Sequence, residues 1–417
     1  MLRSLLAFAA LLPALPAAET PLRLETLVSE VVTRHPELAF YEAEIAAARA
    51  GVRQAGLRAD PELNVELGRK RVRPEAGAGG DGAAWSVSVT QTFEWPGRIA
   101  LRKALANGDV TLAALGLQRF RAALDARVRT LASSLHGAHA QAAAIREVAD
   151  RFTALKETYL ARDAAGVTPL LETRVIEAAE LALQRRATEA ELALHAALLE
   201  LNQLRGAPAD QPLAVALPGQ VFHDAPARDA LLAAARENNF EYRIKRAELE
   251  QQGFAVQLAR QEGRPAVSVS PFYAQERADG RESTIGLGLS VPLPVNGRAR
   301  GATEAAEARR RQAEAAALAA QRELERDVLT AAHAFATKVT EIRRWAPESV
   351  GKFREAAALA DRHYRLGAVP IATYVELQQS YLDAVEALLA TRQEALAAGL
   401  RLRLLTGLDL RLVEVAP

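Results

Sequence analysis

His136 and His139 stand three apart in an unbroken helical stretch, a spacing that sets two imidazoles on one face and would let them share a metal ion. A metal site needs more donors than that pair supplies. The chain has no cysteine, a single Met at its start, and its other histidines scattered, so the pair reads as surface histidines and no metal site is expected. No HExxH pattern, nucleophile elbow or Gly-rich phosphate loop occurs, which leaves no residues to carry a reaction or hold a cofactor. Arg69, Lys70, Arg71 and Arg73 form a basic cluster ahead of the turn-rich PEAGAGGDG. They suit either phosphate groups, such as those of lipopolysaccharide, or a solvated rim. Arg309, Arg310 and Arg311 read as a charged helix face.

The elements that carry these residues come as two copies of one plan. The first runs through HPEL, AWSVSVTQTFEWPGR, a long Ala-rich stretch, GVTPLLE and LNQLRG; the second through NFEY, STIGLGLSVPLPVNGR, another Ala-rich stretch, GAVPIATYVE and LRLLTG. Pro61 matches Pro265, Gly97-Arg98 matches Gly297-Arg298, Gly166 and Pro169 match Gly367 and Pro370, and Gly206 matches Gly407, each about 200 residues apart. The resulting division is a signal peptide over 1–18, repeat one over 19–206, a Pro-rich linker over 207–225 and repeat two over 226–417. With 52 basic and 51 acidic residues the formal net charge is +1, which argues against a nucleic-acid binder. Absence of cysteine excludes disulfides and a lipid anchored through an N-terminal cysteine. The leader MLRSLLAFAALLPALPAA has one Arg, an apolar core and small residues at its end, as an exported chain requires. No later apolar run reaches the ~18 residues of a membrane-spanning helix.

Within each repeat two short segments alternate strictly. Leu63, Val65 and Leu67 oppose Glu62, Asn64 and Glu66; Trp85, Val87, Val89, Phe93 and Trp95 oppose Ser86, Ser88, Thr90, Thr92 and Glu94. Repeat two gives Val267 and Val269 against Ser268 and Ser270, then Ile285, Leu287, Leu289, Val291 and Leu293 against Gly286, Gly288 and Ser290. Strands are expected over about 62–72, 85–95, 265–273 and 284–293, with the period-two pattern of strands that face lipid on one side and water on the other. Four strands cannot close a barrel and open edges cannot lie in lipid, so several chains must contribute. The rest is helical. Leu117, Leu124, Leu131, Ala138, Ile145, Phe152 and Tyr159 recur every seventh residue, the seam of a coiled coil. Helical hairpins are expected over 97–205 and 298–406, the second with an unbroken first arm from Arg298 to about Leu366 and a stripe of Phe335, Val339, Ile342, Phe353, Ala357 and Tyr364. Shorter helices over about Pro36–Ala59 and Phe240–Gly263 precede the strands.

This organisation, with FEWPGR, YRLGAVPIATYVELQQSYLDA and LNQLRG, resembles the TolC-type outer-membrane efflux family, and FEWPGR resembles its heavy-metal (cobalt-zinc-cadmium) branch. The resemblance implies a mainly α fold with a membrane β-barrel portion: a trimer whose long-helix/β-hairpin repeats build an α-barrel tunnel and share one barrel of about twelve strands. It implies a passive channel of a tripartite efflux system in the outer membrane, extending into the periplasm. The implied partners are two further copies, a periplasmic adaptor, an inner-membrane pump of the RND type, and outer-membrane lipid. Carried over residue by residue, Glu172 and Glu376 match the family's constricting carboxylates, and Thr373 departs from the acid expected opposite Glu172. Gly166, Val167, Pro169, Gly367, Val369 and Pro370 match the adaptor-contacting hairpin tips. Trp95, Pro96, Gly97 and Arg98 match the turn from barrel to helix. Two other readings use the same residues: a periplasmic adaptor, which owns one helical hairpin, and a secreted coiled-coil scaffold, which needs no lipid-facing strands.

Overall fold

The computed structural model describes residues 22–73, 79–163, 170–216, 220–278, 280–294, 296–345, 349–408, 410 and 412–415. The leader over 1–18 and Gly166, Val167 and Pro169 lie outside them, as does the side chain of Tyr159. Strand β1 (Leu22–Arg23) leads to helices α1 (Leu24–Arg34) and α2 (Glu37–Ala55), then the hairpin β2 (Glu62–Val72) and β3 (Gly80–Phe93). Helices α3 (Arg98–Asp163) and α4 (Leu170–Arg205) follow, then strands β4 (Val215–Ala216) and β5 (Gln220–Phe222). The second set is α5 (Arg228–Asn238), α6 (Phe240–Glu262), the hairpin β6 (Val267–Arg277) and β7 (Arg281–Ser290), α7 (Arg298–Arg344), α8 (Ser349–Arg365), α9 (Ile371–Thr406) and β8 (Val413–Val415).

The chain divides into two compact units that cut across the sequence repeats. One takes Glu37–Phe120 and Ala235–Arg326; the other takes Met1–Pro36, Arg121–Ala234 and Asp327–Pro417. The first unit holds a four-stranded antiparallel sheet in the order β2-β3-β6-β7, so a hairpin from each repeat meets the other along β3 and β6. That pairing is why the repeats are not the units. Strand β3 begins ahead of the alternating stretch because Gly80 to Ala84 pair with Val72 to Gly68, a run of small residues with no apolar alternation to betray it. Helix α2 stops at Ala55, short of the expected Ala59, where Gly56 follows.

The second unit is packed by its helices. On α3 the buried residues Leu124, Val128, Leu131, Leu135, Ala138, Ile145, Val148, Phe152 and Leu155 keep the alternating three-and-four spacing of a heptad seam. Of these, Ile145, Val148, Phe152 and Leu155 join Ile176 and Leu183 of α4 and Tyr374, Tyr381 and Leu382 of α9. The expected unbroken arm from Arg298 to Leu366 is corrected to two helices: α7 ends at Arg344 and α8 begins at Ser349, on either side of Pro347 in the sequence. A proline interior to a helix removes a hydrogen bond and clashes with the preceding turn. The stripe drawn across this break fails in step, and Phe353 is 43% exposed while Ala357 is buried.

The 207–225 stretch is more than a linker. Its β4 pairs in parallel with β1 and its β5 in antiparallel with β8. Asn202, fully buried at the end of α4, donates from Nδ2 to the carbonyls of Ala209 at 2.9 Å and Gln211 at 2.8 Å. That side chain explains the Asn of LNQLRG. Gly206 closes the helix with φ +68, its N–H bonding Gln203 O at 3.1 Å while Ala207 N–H bonds Asn202 O at 2.9 Å.

Candidate functional site

Residues paired across an antiparallel sheet point to the same side, so the register assigns the faces. One face carries Leu63, Val65, Leu67, Trp85, Val87, Val89, Val269, Tyr273, Ile285 and Leu289, joined by pairings such as Val65 with Val87, Val87 with Tyr273 and Tyr273 with Ile285. The other carries Asn64, Ser86, Ser88, Thr90, Thr92, Ser268 and Ser270. On this polar face Thr90 and Ser270 hydroxyls lie 2.9 Å apart, Thr92 and Ser268 likewise at 2.9 Å, and Ser86 donates to Glu66 at 3.2 Å. Phe272 is the apolar exception there, its ring lying over Gly286, where an added Cβ would meet it at 2.4 Å. The apolar face is open: Leu67 is 83% and Ile285 84% exposed. A contiguous row of exposed branched side chains is costly in water and marks a surface made for another phase or a partner.

The basic run sits at the far end of β2 and is mostly paired. Arg69 donates from Nε to Asp81 at 2.7 Å, Arg71 lies 3.5 Å from the same carboxylate, and Lys70 lies 2.5 Å from Glu276 and 2.9 Å from Glu282. These cross-strand ion pairs offset much of the positive charge that a phosphate would seek.

At the other end of the hairpin the FEWPGR turn is built as a joint. Gly97 has φ +95, a left-handed conformation that side chains avoid. It turns the chain so that Arg98, only 8% exposed, reaches the end of α6. Its guanidinium donates to Gln261 O, at 2.7 Å from Nη2 and 3.2 Å from Nε, and to Arg264 O. The last carbonyls of a helix have no partner within it, and the fork of the arginine meets one of them, Gln261 O, together with Arg264 O just past the helix end. Trp95 donates from its indole to Pro265 O at 2.6 Å, with the Arg264 guanidinium 5.7 Å from its ring centre. Arg102 clasps Glu94 at 2.6 and 2.7 Å.

In the helical unit, Glu172 is half-buried in the first turn of α4, Thr373 half-buried in the first turn of α9, and Glu376 exposed in the next. Gly367, with φ +71, ends α8: its N–H bonds Tyr364 O and Ala368 N–H bonds His363 O, both at 2.9 Å, the paired closure of a left-handed helix end. Val369 is half-buried, and Pro370 precedes α9 with extended backbone. No group of three or more His, Asp or Glu side chains able to hold a metal occurs among the described residues. Partial desolvation, then His139 and Arg392, hold His136 below the usual histidine range.

A polar cluster absent from the sequence expectations lies beside these helix starts. Gln378 is fully buried in α9, donates to Ala357 O at 2.8 Å, and accepts from Arg151 at 3.1 Å. Arg151 also donates to Glu147 at 2.6 Å, and Arg354 reaches the same carboxylate at 3.1 Å. Fully buried Tyr374 packs between Phe152 and Tyr364, each with ring centres at 5.4 Å. Burial drives its phenol pKa well up. The sequence signal was the YVELQQSYLD stretch, where Gln378 falls on the stripe of Tyr374, Tyr381 and Leu382.

The long paired helices, with two hairpins merged into one amphipathic sheet, make a fold that other solved structures share. A membrane protein from Pseudomonas aeruginosa matches with a TM-score of 0.76 at 20% identity, covering 92% of this chain and 90% of that one. The outer membrane protein VceC from Vibrio cholerae matches with a TM-score of 0.71 at 16% identity, over 92% and 96%. CusC, solved in a study of folding and transmembrane channel formation, matches with a TM-score of 0.74 at 15% identity, over 92% and 91%. A search of curated protein sequences finds no match. Residues 231–408 match the family model described as Outer membrane efflux protein. That match lies within the second repeat, and the likeness of fold extends over 92% of the chain, so the chain is similar to outer-membrane efflux proteins in both respects.

Proposed function

We propose that the protein works as a passive trimeric duct, with no enzymatic step of its own, that carries substrates delivered by an inner-membrane pump and a periplasmic adaptor to the exterior. The observation that carries this reading is the sheet: a mainly apolar, exposed face, a hydroxyl-rich opposite face, and edges on β2 and β7 that pair with no other described strand. In hydrocarbon every backbone donor and acceptor needs a partner, and edges are removed only by closure. Three copies supply twelve strands in this reading, the apolar face toward lipid and the serines and threonines toward a water-filled lumen. The hairpin tips, Gly166, Val167 and Pro169 with Gly367, Val369 and Pro370, are the adaptor contacts. Heavy-metal cations are the substrate class favoured by the FEWPGR resemblance and by the likeness to CusC.

The tip is proposed to be gated by charge. Glu172 and Glu376, at the starts of α4 and α9, would form an acidic ring in three copies, and Thr373 would leave the ring short of one carboxylate per chain. Such a ring favours cations and disfavours anions. Reconstitution into planar bilayers tests the function: discrete conductance from a species whose native mass is three chains is expected, and a non-conducting single-chain species would overturn it.

A further inference from the structure

The second repeat carries the same Gly-Arg pair as the FEWPGR joint, but its arginine caps no helix among the described residues. Gly297 has φ +66, and Arg298 opens α7 just as Arg98 opens α3. Arg98 is buried on the end of α6; Arg298 is exposed and makes no side-chain hydrogen bond with a described residue. The end of α2 is the counterpart of the end of α6. Leu57 N–H bonds Gln54 O at 3.0 Å as Arg264 N–H bonds Gln261 O at 3.0 Å, and Gly56 stands where Gly263 does. Gln54 O receives no side-chain donor among the described residues, and Leu57 O receives only a long 3.4 Å contact from Arg102. The end of α2 is therefore a copy of the surface that Arg98 covers, met among the described residues only by that long Arg102 contact.

Strand order says where the cap comes from. Arg98 follows β3 and caps the helix that precedes β6, the strand paired with β3. Arg298 follows β7 and the end of α2 precedes β2, and these two strands are the opposite edges of the sheet. Within one chain the arginine and its matching carbonyls belong to opposite sides. We propose that Arg298 caps the α2 terminus of a second copy of this chain, donating to Gln54 O and Leu57 O, where β7 of one copy pairs with β2 of the next. The inference rests on the multi-chain barrel reading and adds the contact that alternates the two repeats around it: Arg98 within a chain, Arg298 between chains. Trp95, whose indole adds a second side-chain donor at the end of α6 through Pro265 O, has no aromatic counterpart at Val295, so Arg298 caps without one.

A chain with no cysteine gives a clean test. Leu57→Cys with Arg298→Cys in one chain, oxidised in isolated outer membranes, should give a ladder of covalent multimers on denaturing gels. Thr92→Cys with Ser268→Cys, a pair in register inside one sheet, should oxidise without a change of mass. A multimeric native mass with 57/298 remaining monomeric on the gel overturns the Arg298 contact alone; a native mass of one chain overturns the barrel reading as well. Independently, Arg298→Ala should raise the fraction of dissociated chains in detergent roughly tenfold, as loss of charge-assisted hydrogen bonds predicts, with Arg298→Lys intermediate. An unchanged fraction for Arg298→Ala overturns the proposal.

Discussion

The two units put the same kinds of side chain to opposite uses. In the helical unit Val128, Leu135 and Phe335 are 0–1% exposed, whereas in the sheet unit Leu67, Ile285 and Leu287 are 69–84% exposed. The helices hide their apolar residues by heptad spacing, which turns one stripe inward however polar the rest of the helix is. The strands hide one face from the other by a period of two and leave the apolar row uncovered. A water-soluble sheet would bury that row under helices or a second sheet. Exposure means strain in one solvent and comfort in another, and the contrast is what the proposed lipid-facing role of the sheet accounts for.

The sharpest way to break this comparison is to truncate one apolar residue in each region. Phe335→Ala empties a site packed against Gly399, where an added Cβ would lie 3.0 Å from the ring, and against Phe222 with ring centres 6.5 Å apart. It should cost about 3–5 kcal/mol of helical stability, read as a fall in thermal midpoint by circular dichroism. Leu67→Ala should leave that midpoint in place, since its side chain touches little of its own chain. Comparable losses from both would mean that the sheet face is packed after all.

A charge sharpens the same contrast. Leu287→Arg on the apolar face should hinder membrane insertion by about 2–4 kcal/mol if it meets the bilayer midplane, seen as protein lost from the outer-membrane fraction. Ser88→Arg, on the polar face with Asn64 and Phe272 as register partners, should insert normally and change conductance. Equal loss of both would reverse the assigned facing.

Where the helical unit is tied by ions, the effect is smaller. Arg129 donates to both Glu25 oxygens at 2.7 and 2.8 Å, fastening α1 to α3, and lies 3.1 Å from Asp125. The hydrogen bonds from Arg129 hold Glu25 below the usual carboxylate range against the opposing effect of burial. A lowered folded pKa contributes stability above the unfolded value that is lost as pH falls through the folded one. Arg129→Ala should cost about 1–2 kcal/mol near neutrality, discounted for the exposure of Glu25. The deficit should shrink on acidification below roughly pH 4, where wild type loses the pair too. A deficit that stays constant from pH 7 to pH 3 would remove the pair from the account.

What was legible in the sequence follows from the same periods. Alternation exposed the strands because one face had to be uniformly apolar, and the heptads exposed α3 because Leu124 to Phe152 never break step. Pro347 was equally visible, yet the regular stripe on either side led the expectation across it. The pairing of β3 with β6 could not be read locally, since it joins residues far apart in the chain, and β4 and β5 are too short to show a period. Arg98 was placed by its motif, but its role as a cap on α6 depends on carbonyls that no sequence pattern marks. Gln378 hid among apolar neighbours because burial of a polar group is affordable only with partners, and its partners come from α3 and α8.

The smallest energetic effect is expected at the helix starts, where function and stability separate most cleanly. Glu172 and Glu376 lie off the buried stripes of α4 and α9, so replacing both with Gln keeps shape and removes charge. Helix content should be unchanged, and the assembly should stay intact. If the two carboxylates line the closed tip, their loss removes negative potential from it. Cation preference in planar bilayers should then fall and block by multivalent cations should weaken. Selectivity and block that match wild type at neutral pH would leave both residues as helix-start carboxylates near the positive end of the helix dipole.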